Sequence, residues 1–372
     1  MRIVVPAGGV GAARFLRGLK AAAPDAQITV IGNTGDDITL FGLRICPDLD
    51  TVMYTLGGGI NSEQGWGRAA ETFSVREELA AYEAQPLWFT LGDRDFATHI
   101  LRTQLLGSGQ PLSAVTATLC ERWQPGVTLL PMTDDRVETH VVVGESDVTE
   151  ETGARPSESL DHAARQHQPA ERYERNGPAD RDQPAQHDQP AQHDRHFPRV
   201  IHFQEWWVRY GARIPATEIV ASGAADAVPA PGVLDAVAAA DFVLLPPSNP
   251  VVSVGTILQV PGVRDALERK TVVGVSPIIG GAPVRGMADS CLAAIGVPAS
   301  AASVAAWYGP SLLNGWIVDD TDDADKAAVD DPELAGIAVR ARPLYMHDLP
   351  ATIQIAMECL DLAAALGAGS LA

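Results

Sequence analysis

Short, largely apolar runs punctuate the chain at residues 3–5, 28–31, 242–245, 272–275, 316–318 and, more weakly, 344–346. Amphipathic stretches with helical spacing lie between them. Apolar runs of this length predict strands buried on both faces and joined by helical crossovers. The implied fold class is α/β, a doubly wound, mostly parallel Rossmann-like sheet. In such a sheet ligands bind beyond the carboxyl ends of the strands, so the residues after each run carry the functional interest. The rhythm changes between residues 48 and 219. Residues 50–56, 75–83, 95–106 and 111–122 predict helices, while 137–143, 200–208 and 214–221 alternate like antiparallel strands. This stretch reads as a smaller α+β cap, giving a core of 1–56 and 222–372 and a cap of 57–144 and 199–221.

Residues 145–198 break both patterns. The hexapeptide Asp-Gln-Pro-Ala-Gln-His occupies 182–187 and repeats at 188–193, in a tract poor in apolar residues. Such composition cannot bury enough surface to order itself and predicts a disordered insertion. His162, His167, His187, His193 and His196 fall here, but their irregular spacing favours a solvated linker over a metal site. The strands on either side are expected to pair directly, leaving the tract as an overlong hairpin insertion.

Composition narrows the function. The formal charge is −20 with pI ≈ 4.7. That argues against a nucleic-acid partner, which requires basic surface to displace counterions. It leaves room for an anionic small molecule, because a few arginines, a helix N-terminus or a cation reverse the sign inside one cleft. Cys46, Cys120, Cys291 and Cys359 are widely separated, with no C-x-x-C pair, so core thiols are expected rather than a disulfide framework or zinc site. No apolar stretch reaches the roughly 18 residues of a membrane span. A cytoplasmic enzyme without a membrane partner is the expectation, and an isologous homodimer the generic one.

The candidate chemistry lies where the sheet places it. Gly8-Gly9-Val10-Gly11 follows the first run and leads into a helix, a turn whose bare backbone can approach a phosphate. A tight turn without ligand would need similar glycines. Asn33-Thr34-Gly35-Asp36-Asp37 follows the second run, and its adjacent carboxylates would be relieved by Mg²⁺ or an arginine. Cys46-Pro47-Asp48-Leu49-Asp50 resembles a helix start, where one aspartate could cap and the spare one could join the same cation. Arg94 and Arg102 are candidate phosphate ligands or partners of Asp95; Arg76 opens an earlier helix. Ser248-Asn249 lies after a core strand, and Gly280-Gly281 with Arg285 forms a second glycine-bearing loop suited to an anion. Trp206 and Trp207 are expected in an alternating strand, packing on opposite faces.

In order and spacing, Gly8–Gly11, 33–37, 46–51, Leu91-Gly92-Asp93-Arg94-Asp95, Ser248-Asn249-Pro250 and 276–281 resemble the 2-phospho-L-lactate transferase family of coenzyme F420 biosynthesis. Phe203-Gln204-Glu205-Trp206-Trp207-Val208-Arg209 is similar to its actinobacterial branch. The resemblance implies transfer of a phosphoenolpyruvyl or 2-phospho-L-lactyl group from its guanosine diphosphate ester to the ribityl hydroxyl of the deazaflavin Fo, with release of GMP and Mg²⁺ as cofactor. On that basis Asp36, Asp37 and Asp50 are the expected catalytic residues and Asp36, Asp48 and Asp50 the metal ligands. Gly8, Gly9, Gly11, Asn33, Thr34, Arg76, Arg94, Ser248, Asn249, Gly280, Gly281 and Arg285 are the expected substrate contacts. A nucleotide-sugar-binding regulatory protein of the gluconeogenesis-factor type is the alternative. A nicotinamide-dependent oxidoreductase is disfavoured, because no strict G-x-G-x-x-G is present.

Overall fold

The structure is a computed structural model that describes residues 1–144, 198–321 and 334–369. The repeat-bearing tract, its histidines and the expectation of disorder there lie outside the described residues.

Seven parallel strands form the central sheet: β1 (Arg2–Ala7), β2 (Gln27–Gly32), β5 (Thr128–Pro131), β9 (Phe242–Leu245), β10 (Val272–Val275), β13 (Gly315–Val318) and β14 (Ala338–Ala341), in the order β14-β13-β10-β9-β1-β2-β5. Five of the six apolar runs are strands of this sheet. Their alternate residues feed two separate cores, which is why they read as continuously apolar. Val4, Ile31, Val243 and Val272 enter one core, and Ile3, Val30, Leu244 and Val273 the other. Helices α1 (Gly9–Ala22), α2 (Pro47–Leu56) and, further on, α5 (Leu112–Trp123) cover the second face with the terminal helix Leu349–Gly369. That terminal helix has the length and mean hydropathy of a membrane span, yet Ile355, Ala356, Cys359 and Leu362 bury its stripe in the core.

The remaining strands are β3 (Ile38–Leu40) and β4 (Leu43–Ile45), a hairpin after the acidic loop; β6 (Glu138–Val143), β7 (Arg199–His202) and β8 (Ala216–Ser222), a three-stranded antiparallel sheet; and the hairpin β11 (Ile278–Ile279) with β12 (Ala282–Pro283). Val143 pairs with Arg199, so the strands flanking the insertion do pair directly. Helices α3 (Ser74–Ala81) and α4 (Asp93–Gly107) complete the smaller layer.

Three expectations are corrected. Residues 344–346 are not a strand: the edge strand is Ala338–Ala341, and Leu344 is apolar because it plugs the core from a loop. Residues 128–131, placed in the cap by the change of rhythm around them, form the opposite edge of the central sheet. Trp206 and Trp207 stand in a helical turn, Glu205–Arg209, not a strand. Buried Trp206 donates its indole N–H to Ile214 O at 2.7 Å, which satisfies the polar edge of a core residue.

Chain order reverses between β1 and β9. From β1 the sheet grows through β2 to β5 on one side and through β9, β10, β13 and β14 on the other. The crevice of a doubly wound sheet opens at this switch point. The loops after β1, β2 and β9 meet there.

Candidate active site

At the switch point the glycine turn after β1 is pressed between two neighbours. A Cβ at Gly8 would stand 2.5 Å from Asp48 Oδ2 and 2.7 Å from Ser253 Oγ, and one at Gly11 would strike the Pro247 carbonyl. Only glycine fits this approach. Gly9 N–H donates to Asp48 Oδ1 at 2.7 Å, and the Ser248 hydroxyl donates to Gly8 O at 2.9 Å. Ser248 therefore ties the β9 loop to the turn. Asn249 is a cap: its Oδ1 accepts from Val251 N and Val252 N at 3.0 and 3.3 Å, and its Nδ2 reaches Cys291 Sγ.

The acidic loop after β2 is equally constrained. Asn33 Nδ2 donates to Asp48 Oδ2 at 2.8 Å and to Val252 O at 3.1 Å, while its Oδ1 accepts from Gly35 N. Asn33 is thus a brace beneath the carboxylates. Thr34 is buried as well, and its hydroxyl has no hydrogen-bond partner among the described residues.

Two carboxylates converge here. Burial raises the pKa of Asp36 well above the usual carboxylate range, and repulsion from Asp48 and then Asp37 adds to it. Asp48 is pushed up to about 6 by burial, against the hydrogen bonds from Asn33 and Gly9. Asp36 Oδ1 is buried with no hydrogen-bond partner. A divalent cation would relieve both groups, and Mg²⁺ is commonly held by one or two carboxylates completed by water and substrate phosphate. Among the described residues no three acidic, histidine or cysteine side chains form a group that could hold a metal ion.

Asp37 faces the small sheet. It is fully buried, both carboxylate oxygens lack hydrogen bonds, and Arg44 Nη2 stands 3.5 Å away. Burial lifts its pKa to about 7 in spite of Arg44. Arg44 is held by Glu138 of β6 at 2.6 Å, and His202 Nε2 lies 3.2 Å from the Asp37 carbonyl. Burial drives the His202 pKa down to about 4, so the ring is neutral near pH 7 and donates to that carbonyl.

Asp50 does not join the acidic pair. It binds buried Arg102 through both oxygens, Nη1 to Oδ2 at 3.0 Å and Nη2 to Oδ1. His99 Nδ1 accepts from Arg102 Nη1 at 3.1 Å, and burial lowers its pKa to about 4. Next to a neutral imidazole, Asp50 is the counterion of Arg102 and is unavailable as a metal ligand. Arg102, in turn, is a core ion-pair partner rather than a phosphate ligand.

The other expected contacts divide. Arg94 lies exposed on α4, with its guanidinium on Ala69 O at 3.3 Å, outside the acidic cluster. Arg76 is exposed on α3 and edges an apolar recess lined by Phe41, Leu79, Leu87, Phe89 and Phe96. Gly280 and Gly281, with φ of 59° and 78°, turn the β11–β12 hairpin and deliver Arg285 to its far end. Arg14, in the second turn of α1, was not singled out from sequence and lies beside Arg285. Its position on the helix that follows the glycine turn was the available signal.

Residues 3–345 match the family described as 2-phospho-L-lactate transferase CofD. The chain is 58% identical over 371 residues to a phosphoenolpyruvate transferase of Thermobifida fusca (strain YX), covering 98% of each chain. It is 57% identical over 365 residues to that of Streptomyces griseus, again covering 98% of each. To that of Mycobacterium sp. (strain KMS) it is 44% identical over 382 residues, covering 98% of this chain and 99% of the relative. The solved structure of protein BH3568 from Bacillus halodurans, a member of the UPF0052 family, superposes with TM-scores of 0.53 and 0.54 in two determinations. At 14% identity over 96% of this chain and 99% of that one, it shows a shared fold. The family match and the full-length identities bear out the resemblance read from the ordered motifs: the chain belongs to the 2-phospho-L-lactate transferase family.

Proposed function

We propose that this chain moves a phosphoenolpyruvyl or 2-phospho-L-lactyl group from its guanosine diphosphate ester to the terminal ribityl hydroxyl of Fo, releasing GMP and forming (dehydro) coenzyme F420-0. The observation that carries this reading is the pairing of Asp36 with Asp48 against the glycine turn at the switch point, beside an unsatisfied Asp37, in a member of this family.

Displacement at phosphorus asks mainly for alignment and charge stabilisation. The Gly8–Gly11 turn and the start of α1 offer backbone N–H groups to the diphosphate. Asp36 and Asp48 would hold Mg²⁺, which when bound supplies positive charge to the diphosphate oxygens. Asp37 is the candidate proton acceptor. As the ribityl oxygen forms its bond to phosphorus and the bond to the GMP oxygen breaks, the hydroxyl proton passes to the Asp37 carboxylate. A pKa of about 7 suits that task near neutral pH. Arg44 keeps part of the Asp37 population ionised, and Glu138 keeps Arg44 in place.

Incubation with Fo, the enolpyruvyl or lactyl guanosine diphosphate ester and Mg²⁺, followed by mass analysis, tests the reading. A product heavier than Fo by the transferred group is expected. Nucleotide binding with no Fo-derived product would point instead to a regulatory binding protein.

A further inference from the structure

The segment between α2 and α3 folds back over the glycine turn. A Cβ at Gly65, whose φ is +75°, would stand 2.8 Å from Val10 Cγ1, 3.0 Å from Arg285 Nη1 and 3.6 Å from Arg14 Nη2. Two guanidiniums from opposite ends of the chain therefore flank one point above the turn. Among the described residues neither has a carboxylate within 4 Å. Burial, and after it the charge of Arg14, pull the Arg285 pKa below the usual value. Arg285 also donates to Gln64 O, which fixes its fork without neutralising it. Arg285 is exposed and Arg14 half-buried, so the pair is open to a ligand from solvent, and an anion between the two guanidiniums would meet both.

We propose that Arg14 and Arg285 form an oxyanion clamp for the group donor. Val10, whose side chain borders the same point, follows Gly9 in the turn, and the Gly9 N–H is on Asp48. A donor whose diphosphate rests at the Asp36–Asp48 end would present an outer oxyanion to the clamp. The inference rests on the transferase reading for its ligand, a molecule with two oxyanion sources: the carboxylate of the three-carbon acid and the phosphate bearing it. Guanidinium forks match the planar geometry of either.

Isothermal titration of the full chain with Mg²⁺ tests this with three probes: inorganic pyrophosphate, GDP and the enolpyruvyl guanosine diphosphate ester. The proteins are wild type, Arg14→Met, Arg14→Lys and Arg14→Met/Arg285→Met. Each lost charge-assisted contact is expected to weaken ester binding by about 10- to 100-fold. Arg14→Lys should recover part of that loss, and Arg14→Met leaves the Gln64 anchor untouched, so unmasking of the turn is controlled. If the clamp reads the carboxylate, GDP and pyrophosphate bind the variants as they bind wild type while the ester weakens. If it reads phosphate, all three weaken together. Equal ester binding by wild type and the folded double variant overturns the clamp, as does a wild type that binds none of the probes. A wild type that binds the ester and yields no product with Fo defeats the transferase reading alone, and the clamp is then judged by the titrations.

Discussion

Replacing Asp50 with asparagine separates two roles that the sequence allowed and the structure divides. Arg102 is only 1% exposed, and its ion pair with Asp50 is its one carboxylate contact within 4 Å among the described residues. His99 beside it stays neutral down to about pH 4 and so adds no charge of its own near pH 7. Removing one partner of a buried ion pair leaves an uncompensated charge, at a cost of about 3–5 kcal/mol. With a urea slope of about 3 kcal/mol/M for a large domain, the Asp50→Asn midpoint should fall by roughly 1–1.7 M. Equilibrium urea unfolding followed by far-UV circular dichroism measures this. Arg102→Met should cost a similar amount. The double variant Asp50→Leu/Arg102→Met should lose much less than the sum, because neither charge is stranded. Asp50→Asn should also leave Mg²⁺ affinity within about threefold of wild type, since a change of only about 0.6 kcal/mol is expected at a site it does not touch. A variant with wild-type stability whose Mg²⁺ binding has collapsed would refute the ion-pair assignment and return Asp50 to the metal.

Mg²⁺ affinity should rise with pH as Asp36 and Asp48 lose their protons, Asp48 at about pH 6, because the cation needs both carboxylates ionised. The sign for stability is opposite in the metal-free protein. With folded pKa values raised above 3.8, Asp36 and Asp48 favour the folded state at low pH, and the Asp48 contribution fades as pH rises through about 6. The Mg²⁺-induced increase in melting temperature should therefore be larger at pH 8 than at pH 5; equal increases would remove Asp36 and Asp48 from the metal. Gly8→Ala would drive a methyl into Asp48 Oδ2 and Ser253, costing about 1–3 kcal/mol by overpacking, with loss of Mg²⁺ binding read by calorimetry. Glu138→Gln should lower kcat by about tenfold, or roughly 1.4 kcal/mol, with GDP affinity kept, since it loosens Arg44 against Asp37. Unchanged kcat would make Glu138 a surface partner only. Deleting residues 150–197 should leave transfer activity nearly intact, because Val143 and Arg199 already pair across the junction. Lost activity in a folded deletion variant would show that the tract contributes to catalysis.

Central strands were legible in the sequence because burial on both faces leaves no polar position to interrupt them. The edge strands were not. Ala338–Ala341 is half-buried throughout and contains Arg340, and Thr128–Pro131 is short and ends in proline, so each lacks a continuous apolar signature. Leu344 misled for the converse reason: a loop residue, with its N–H on Asp319 Oδ2 at 2.9 Å, can be as buried as a strand residue. In the site, strand-end position brought forward the glycine turn, Asp36, Asp37 and Ser248, and the fold gathers the turn, Asp36 and Ser248 at the switch point. It could not reveal that Asn33 and Asn249 spend their amides on bracing and capping.

The pair Asp48 and Asp50 shows how far local rules reach. Neither caps α2, whose N-cap is Cys46 with Pro47 at the first helical position. Both are therefore inside the helix, and two residues along an α-helix turn a side chain by about 200°. Carboxylates so placed cannot serve one cation from one helix face. That divergence follows from the sequence once the helix start is set at Pro47 rather than Asp50. Helical geometry sends one aspartate toward the glycine turn and the other toward α4, but only the fold supplies Arg102, 52 residues away, to receive it. Two nearby acids thus acquire opposite fates from what each faces. Asp48 meets the Gly9 N–H, the Asn33 amide and the Asp36 carboxylate, whereas Asp50 meets the Arg102 guanidinium.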